Sequence, residues 1–208
     1  MFVDMESRNE QRERAGKRGG FPPRPGRGIH HRYAMTMPCS DRLTYAPLCE
    51  ADWPFFLSLQ TDPQVMRYVS DARDEATIRA AFDVRLPRWE VGSPHWLCLV
   101  MREKSSQTEV GVTGLVRRGD GIAEVGFLLA SAYFRRGYGL ESLRALCHFA
   151  FSVLGFSKLT AVATAGNAAS RAVLERAGFR LEETLRESYF LHGRWQDDWM
   201  FGLVPTGN

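Results

Sequence analysis

Two arginines and a spaced pair of glycines, in Arg135-Arg136-Gly137-Tyr138-Gly139-Leu140-Glu141-Ser142, stand between an apolar run and an amphipathic segment. Residues of these types at this spacing can cradle a pyrophosphate. A helix that opens after a glycine turn presents backbone N–H groups with no internal partner, and the positive end of its dipole adds to their attraction for anions. Gly137 and Gly139 lack the Cβ that would hold a phosphate away, and the guanidinium groups of Arg135 and Arg136 supply charge. By itself a Gly-x-Gly turn is an ordinary strand-to-helix connection. No Lys-Ser or Lys-Thr follows it, which weakens the P-loop reading, and the third glycine of a dinucleotide fingerprint is missing. The turn points to a different phosphate-bearing ligand.

The elements that must position this turn follow from periodicity. Ala123 to Leu129 reads as a buried strand. Gly139 to Leu154 places Leu140, Leu143, Leu146, Cys147, Ala150, Val153 and Leu154 near helical spacing. Leu159 to Thr164 is a short strand. Asn167 to Ala177 is a helix on the pattern Ala168, Ala172, Val173 and Ala177, with Gly178 placed to end it in a left-handed conformation. The order is strand, phosphate turn, helix, strand, helix.

With these elements the chain resembles the GNAT acetyltransferase superfamily, in particular its Rim-type branch of ribosomal-protein N-terminal acetyltransferases. The resemblance runs from Asp41 to Val204. Beyond the turn it rests on Arg42-Leu43 and Pro47-Leu48, on Asp62-Pro63-Gln64-Val65-Met66-Arg67-Tyr68, and on Glu124-Val125-Gly126-Phe127. It continues through Asn167-Ala168-Ala169-Ser170 to Gly178-Phe179, and closes with Leu185-Arg186 and Gly193-Arg194-Trp195-Gln196-Asp197. One departure is Phe134, where the family's turn often has Gln or Arg. The resemblance implies an α/β fold with a central mixed, mostly antiparallel sheet flanked by helices, two of whose central strands splay so that acetyl-CoA lies between them as co-substrate. It implies that the backbone of Phe127, Leu128 and Leu129 lines the pantetheine arm and that Arg136 to Leu140 hold the pyrophosphate, with Arg135 adding charge. Asn167 and Ser170 fall where the family contacts the coenzyme near its thioester, although both are also good helix-capping residues.

Acetyl transfer to an amine requires a base, because an alkylamine of pKa about 10 is protonated near neutrality and only the neutral form attacks a thioester. Glu124 is the candidate, on the strand that passes the acetyl group. Base catalysis through an ordered water serves equally, and an outward, solvated Glu124 is the competing structural reading. Ser170 and Tyr189 are the candidate hydroxyls for the departing thiolate. Tyr189 stands where some relatives have a Glu. The oxyanion would be met by backbone N–H groups of the splayed strand.

The four cysteines, Cys39, Cys49, Cys98 and Cys147, lack metal-ligand or redox spacing, and the five histidines are dispersed, so no metal is expected. At 208 residues and 44% hydrophobic, the chain is long enough for one domain with a core, expected over 41–208. Residues 1–40 are expected to be a basic, disordered extension. Its first 34 residues hold seven Arg and one Lys against four acids, so they carry +4 of a net charge of +3. Such an arm could associate weakly with RNA, could be incidental, or could precede a true start at Met35 or Met37. No signal peptide or membrane-length apolar run is visible, and a cytoplasmic location is expected.

The acceptor amine is expected to enter opposite the coenzyme, between the segments 62–68 and 76–86 and the turn joining the last two strands. Glu187, Tyr189, His192, Trp195, Asp197 and Asp198 cluster there in sequence and could attract and stack a cationic amine, whether a protein N-terminus or a small molecule. Asp197 could equally brace a hairpin, and Trp195 and Trp199 alternate as core-facing strand residues would. Three functions compete: an N-acetyltransferase, a coenzyme sensor without catalysis, and an RNA-associated protein acting through its arm. The oligomeric state is open.

Overall fold

The computed structural model describes residues 37–205. The predicted basic extension lies outside these residues except for its last four. In chain order the described elements are β1 (Leu43–Pro47), α1 (Trp53–Thr61), α2 (Pro63–Met66), α3 (Glu75–Asp83), β2 (Leu97–Glu103), β3 (Glu109–Gly119), β4 (Ile122–Leu129), α4 (Tyr138–Ser152), β5 (Lys158–Thr164), α5 (Ala168–Arg176), β6 (Arg180–Leu191) and β7 (Arg194–Leu203). The strands form one sheet in the order β1-β2-β3-β4-β5-β7-β6. Neighbours pair antiparallel except β4 and β5, which are parallel. The exception follows from connectivity: β2, β3 and β4 are joined by short turns, whereas β4 returns to β5 through α4, the crossover that parallel pairing requires. The expected mixed, mostly antiparallel sheet with flanking helices is what the chain forms.

Helices cover both faces. A Cβ on Gly139 would stand 3.3 Å from the Phe127 ring and 3.4 Å from the Leu129 side chain, so α4 lies close against the face of β4 that carries Phe127 and Leu129. Alternation sends Glu124 to the other face, together with its register partner Val116. There Val116 and Arg118 border a cavity shared with Val84 and Arg85, just past α3. Leu143, Leu146 and Phe149 of α4 are fully buried, as are Ile78 and Phe82 of α3 and Leu59 of α1. Each such side chain contributes about 1.5–3 kcal/mol of burial free energy. Phe82 meets the rings of Phe56 and Trp53 edge-on at 5.2 and 5.3 Å, which fixes α3 against α1.

Two details of the helical patterns differ from expectation. Val153 is 48% exposed, because α4 ends at Ser152 and the apolar stripe ends with it. In α5 the alanines at 168 and 172 face solvent, and the buried anchor is Leu174. Gly178 does follow α5 with φ +98°.

Candidate active site

Gly137 is the N-cap of α4, with φ 83°, and offers no side chain to the first turn. The helices α2, α3 and α5 are each closed by a side chain, with Asp62, Asp74 and Asn167 accepting from the backbone N–H of Gln64, Thr77 and Ser170. The long helix α4 is left open where a pyrophosphate is expected. Arg135 is also left-handed, with φ 62°. Two such positions within three residues curve the chain so that N–H groups gather in a concavity, the shape that binds phosphate oxygens. Arg136 reaches over the Tyr133 ring at 5.4 Å. Phe134, in place of the family's polar residue, is an exposed aromatic at the rim.

The turn is braced from the N-terminal edge of the domain. The Arg42 backbone N–H donates to Glu141 Oε1 at 2.7 Å and its Nε to Oε2 at 2.6 Å, while Nη1 donates to the Arg136 carbonyl at 3.0 Å. The same guanidinium lies 4.2 Å over the Tyr138 ring, and the Tyr138 hydroxyl donates to Glu103. Burial pushes the Glu141 carboxyl up, but the donors of Arg42 prevail and hold it below the ordinary glutamate value. Arg42 belongs to the Arg42-Leu43 pair that carries the family resemblance, but its role as a brace becomes visible only when β1 is placed beside α4.

β4 and β5 pair only at Ile122↔Lys158, Ala123↔Leu159 and Glu124↔Thr160. Beyond Glu124 the two strands part, leaving the β5-facing side of Val125–Leu129 without a ladder, while β3 still pairs with the other side out to Leu129. The parting strands form a V, with the α4 turn following the far end of β4.

Glu124 occupies the apex. It is 2% exposed, and its Oε2 lies 2.7 Å from Arg118 Nε. The solvated reading of this residue is therefore incorrect: the carboxylate is enclosed and ion-paired. Arg118 in turn lies 6.0 Å from the Trp96 ring. Sequence spacing gave no hint of this partner, which reaches Glu124 across the β3–β4 hairpin.

Asn167 and Ser170 meet at the start of α5, where Asn167 Oδ1 accepts the Ser170 N–H at 3.1 Å. The capping role is real, and α5 follows the open end of β5. Gly166 just before it lies against the Tyr68 ring, 3.8 Å from where a Cβ would be, and Thr164 Oγ1 donates to the Tyr68 carbonyl at 3.0 Å. The segment 62–68 is thereby held at the mouth of the V. Tyr189 is 4% exposed and its hydroxyl donates to the Val69 carbonyl at 3.0 Å. That bond ties the segment to β6 and competes with proton donation to a thiolate.

The acidic residues of the late segment are already engaged. Asp197 accepts from the Glu187 N–H at 2.9 Å and pairs with Arg186 at 2.6 Å. These contacts, the backbone bond foremost, hold its carboxyl below the usual range. Asp197 thus braces the bulge in β6 where Glu187 takes φ 43°. Asp198 is buried and accepts from Ser188. Trp199 packs against the core and beneath Arg171, whereas Trp195 stacks edge-on with exposed Phe190 at 5.5 Å. The core-facing expectation holds for Trp199 more fully than for Trp195.

Burial pushes the thiols of Cys98 and Cys147 up to about 12, while Cys39 and Cys49 are exposed. Titration of the native chain with a thiol-specific disulfide reagent at pH 7.5 should therefore show two thiols reacting promptly, with the other two appearing only on denaturation. Rapid reaction of all four would mean that α4 or β2 opens readily.

A sheet that parts beside an open, glycine-capped helix is the arrangement that the resemblance to acetyltransferases implies. The family model of the acetyltransferase (GNAT) domain matches residues 42–180. The chain belongs to the GNAT acetyltransferase family and is an N-acetyltransferase. It is 25% identical over 175 residues to p20 of Bacillus licheniformis, an uncharacterised N-acetyltransferase, covering 79% of this chain and 94% of the relative. Its fold matches an acetyltransferase of the GNAT family from Bacillus anthracis with TM-score 0.71 at 19% identity, over 81% of this chain and 98% of that one. It also matches the spermidine N-acetyltransferase of Vibrio cholerae, solved with CoA and spermine, with TM-score 0.69 at 18% identity, over 78% and 95% of the two chains. Among the described residues, no helix is long and apolar enough to cross a membrane.

Proposed function

We propose that residues 41–208 form an acetyl-CoA-dependent catalytic domain that transfers the acetyl group to a primary amine by direct attack in a ternary complex. The observation that carries this reading is the parting of β4 from β5 beyond Glu124, next to a helix start that no side chain closes. The residues fit the coenzyme. The N–H groups of Gly137 to Leu140, with Arg135 and Arg136, receive the pyrophosphate, and the β5-facing side of the Phe127, Leu128 and Leu129 backbone, which has no ladder partner there, lines the pantetheine arm. Asn167 and Ser170 flank its thioester end. The coenzyme supplies an activated acyl group and a thiolate leaving group.

The protein's own contribution is deprotonation, alignment and charge stabilisation. Glu124 takes a proton from the acceptor ammonium, directly or through one water, as the amine adds to the thioester carbonyl. Backbone N–H groups of β4 meet the oxyanion. As the C–S bond breaks, the Ser170 hydroxyl hydrogen-bonds or protonates the thiolate. Tyr189 acts on the wall of the site through its bond to Val69. The Rim-type resemblance favours a protein N-terminal amine as one acceptor, by family analogy, and the protein works in the cytoplasm.

Calorimetric titration with acetyl-CoA, followed by thiol release against a panel of amines and short peptides, tests this. Binding in the micromolar range with turnover on at least one amine is expected. Absence of binding would remove the α4 turn and the V from the argument, and binding without turnover on any amine would convert the reading to that of a coenzyme sensor.

A further inference from the structure

The side from which the acceptor is expected to enter contains an arginine with no acidic partner. Arg73 follows α2 by a short loop and is only partly exposed. Its Nη2 donates to the neutral Gln60 amide oxygen, and no carboxylate pairs with it among the described residues. Its Nε is buried without a hydrogen-bond partner, and so is the Ser70 hydroxyl oxygen. Both residues line a cavity of about 220 Å³ with Asp62, Arg67 and His192. One water occupies about 30 Å³, so the cavity accommodates a larger polar group.

The carboxylates nearby are committed to donors other than Arg73. Asp62 caps α2, and the Ser131 hydroxyl with the backbone of Gln64 and Val65 holds its carboxyl below the usual range. Asp71 accepts from the His192 backbone N–H at 3.1 Å and contacts the His192 ring at 2.8 Å. Burial, together with the charge of Arg85, pulls the Arg73 guanidinium below its ordinary value, the direction expected of a cation that lacks a counter-charge. The Nε edge is closed off by the same burial, so the fork offered to a carboxylate is the far end of the guanidinium, Nη1 with the second proton of Nη2.

We propose that the acceptor amine carries a carboxylate and that Arg73, with Ser70, receives it in this cavity. The assignment rests on the acetyltransferase reading above and narrows its substrate class. It sets this chain apart from an enzyme for polycations, since a second ammonium would be directed at Arg67 and Arg73. A free amino acid and an acidic residue near a peptide's N-terminus present the same group.

The test uses the full chain with acetyl-CoA and matched acceptors: ω-amino acids of two to six carbons, the corresponding alkylamines and diamines, and short peptides with Asp or Ala near the N-terminus. At least one carboxylate-bearing amine is expected to exceed its matched alkylamine tenfold or more in kcat/KM and its diamine by more. Arg73→Gln should bring that ratio to within threefold, with Arg73→Lys intermediate and acetyl-CoA affinity retained in both. The favoured acceptor should also raise the melting temperature of the parent more than that of Arg73→Gln, a readout independent of turnover. Success with the free amino acids or only with the Asp peptides identifies the source of the carboxylate, and both support the assignment. Preference for diamines, an equal loss on every acceptor in Arg73→Gln, or neither selective turnover nor selective stabilisation would overturn it. A parent that binds acetyl-CoA and turns over at least one amine yet gives any of these results keeps its proposed function and loses this inference; a parent that does not bind acetyl-CoA, or binds it without turnover on any amine, loses the function itself.

Discussion

Glu124→Gln is expected to lower kcat at neutral pH by about 10²–10⁴-fold, the range of a positioned general base, with acetyl-CoA affinity within a few-fold of the parent. The substitution preserves shape and one acceptor oxygen and removes the charge that takes the proton. The same carboxylate pairs with Arg118, so part of any loss could arise from a disturbed apex. The two effects separate in the pH profile. If Glu124 is the base, the parent's kcat/KM falls on the acid side with a group that the variant lacks. If Glu124 only positions Arg118, the profile keeps its shape at a lower level. Stability should also fall, because a guanidinium is left facing an amide. Arg118 retains 23% of its side-chain exposure, so the loss should lie below the about 3–5 kcal/mol of a fully enclosed pair. A rate equal to the parent's would assign proton removal to water.

Gly137→Val should raise the acetyl-CoA dissociation constant by one to two orders of magnitude. The backbone at φ +83° resists any Cβ, at a cost of about 1–2 kcal/mol. The new Cβ would also come within 3.3 Å of Arg42 Nη2, in the guanidinium that holds the Arg136 carbonyl and Glu141. Gly155 supplies the control, since its φ is +74° and a Cβ there meets nothing within 4 Å. Gly155→Val should lower the melting temperature by a similar few degrees and leave the dissociation constant unchanged. Calorimetry with acetyl-CoA and thermal melts of both variants separate backbone strain from damage to the turn. Equal affinity in Gly137→Val and parent would show that the pyrophosphate does not sit there.

Features dictated by near neighbours in the chain were legible before any coordinates. The strand before the turn, the helix after it, the next strand and the helix from Asn167 to Ala177 all stand within a few residues of their expected bounds. Each announces itself by local periodicity and a capping residue. Partners brought together across the sheet were not legible. Arg42 reaches Glu141 over 99 positions, and Tyr189 reaches Val69 over 120. The solvated alternative for Glu124 failed for a related reason: alternation gives the face of a strand, but only the arrangement of α3 and β3 decides whether that face is wet. The acidic cluster in the late segment misled in the opposite sense, since Asp197 and Asp198 are occupied by Arg186, Glu187 and Ser188, and the unmatched charge nearby belongs to Arg73.

The three-pair contact between β4 and β5 also bears on how the domain moves. On one side, β1 to β4 close their own ladder; on the other, β5, β7 and β6 close theirs. Each half is held by long antiparallel runs, whereas the ladder between them is three residues deep. Sub-global opening concentrates where the fewest backbone bonds must break. A hinge about residues 122–124 and 158–160 would alter the width of the channel without fraying either half. Breathing of the domain and admission of its coenzyme would then be one motion.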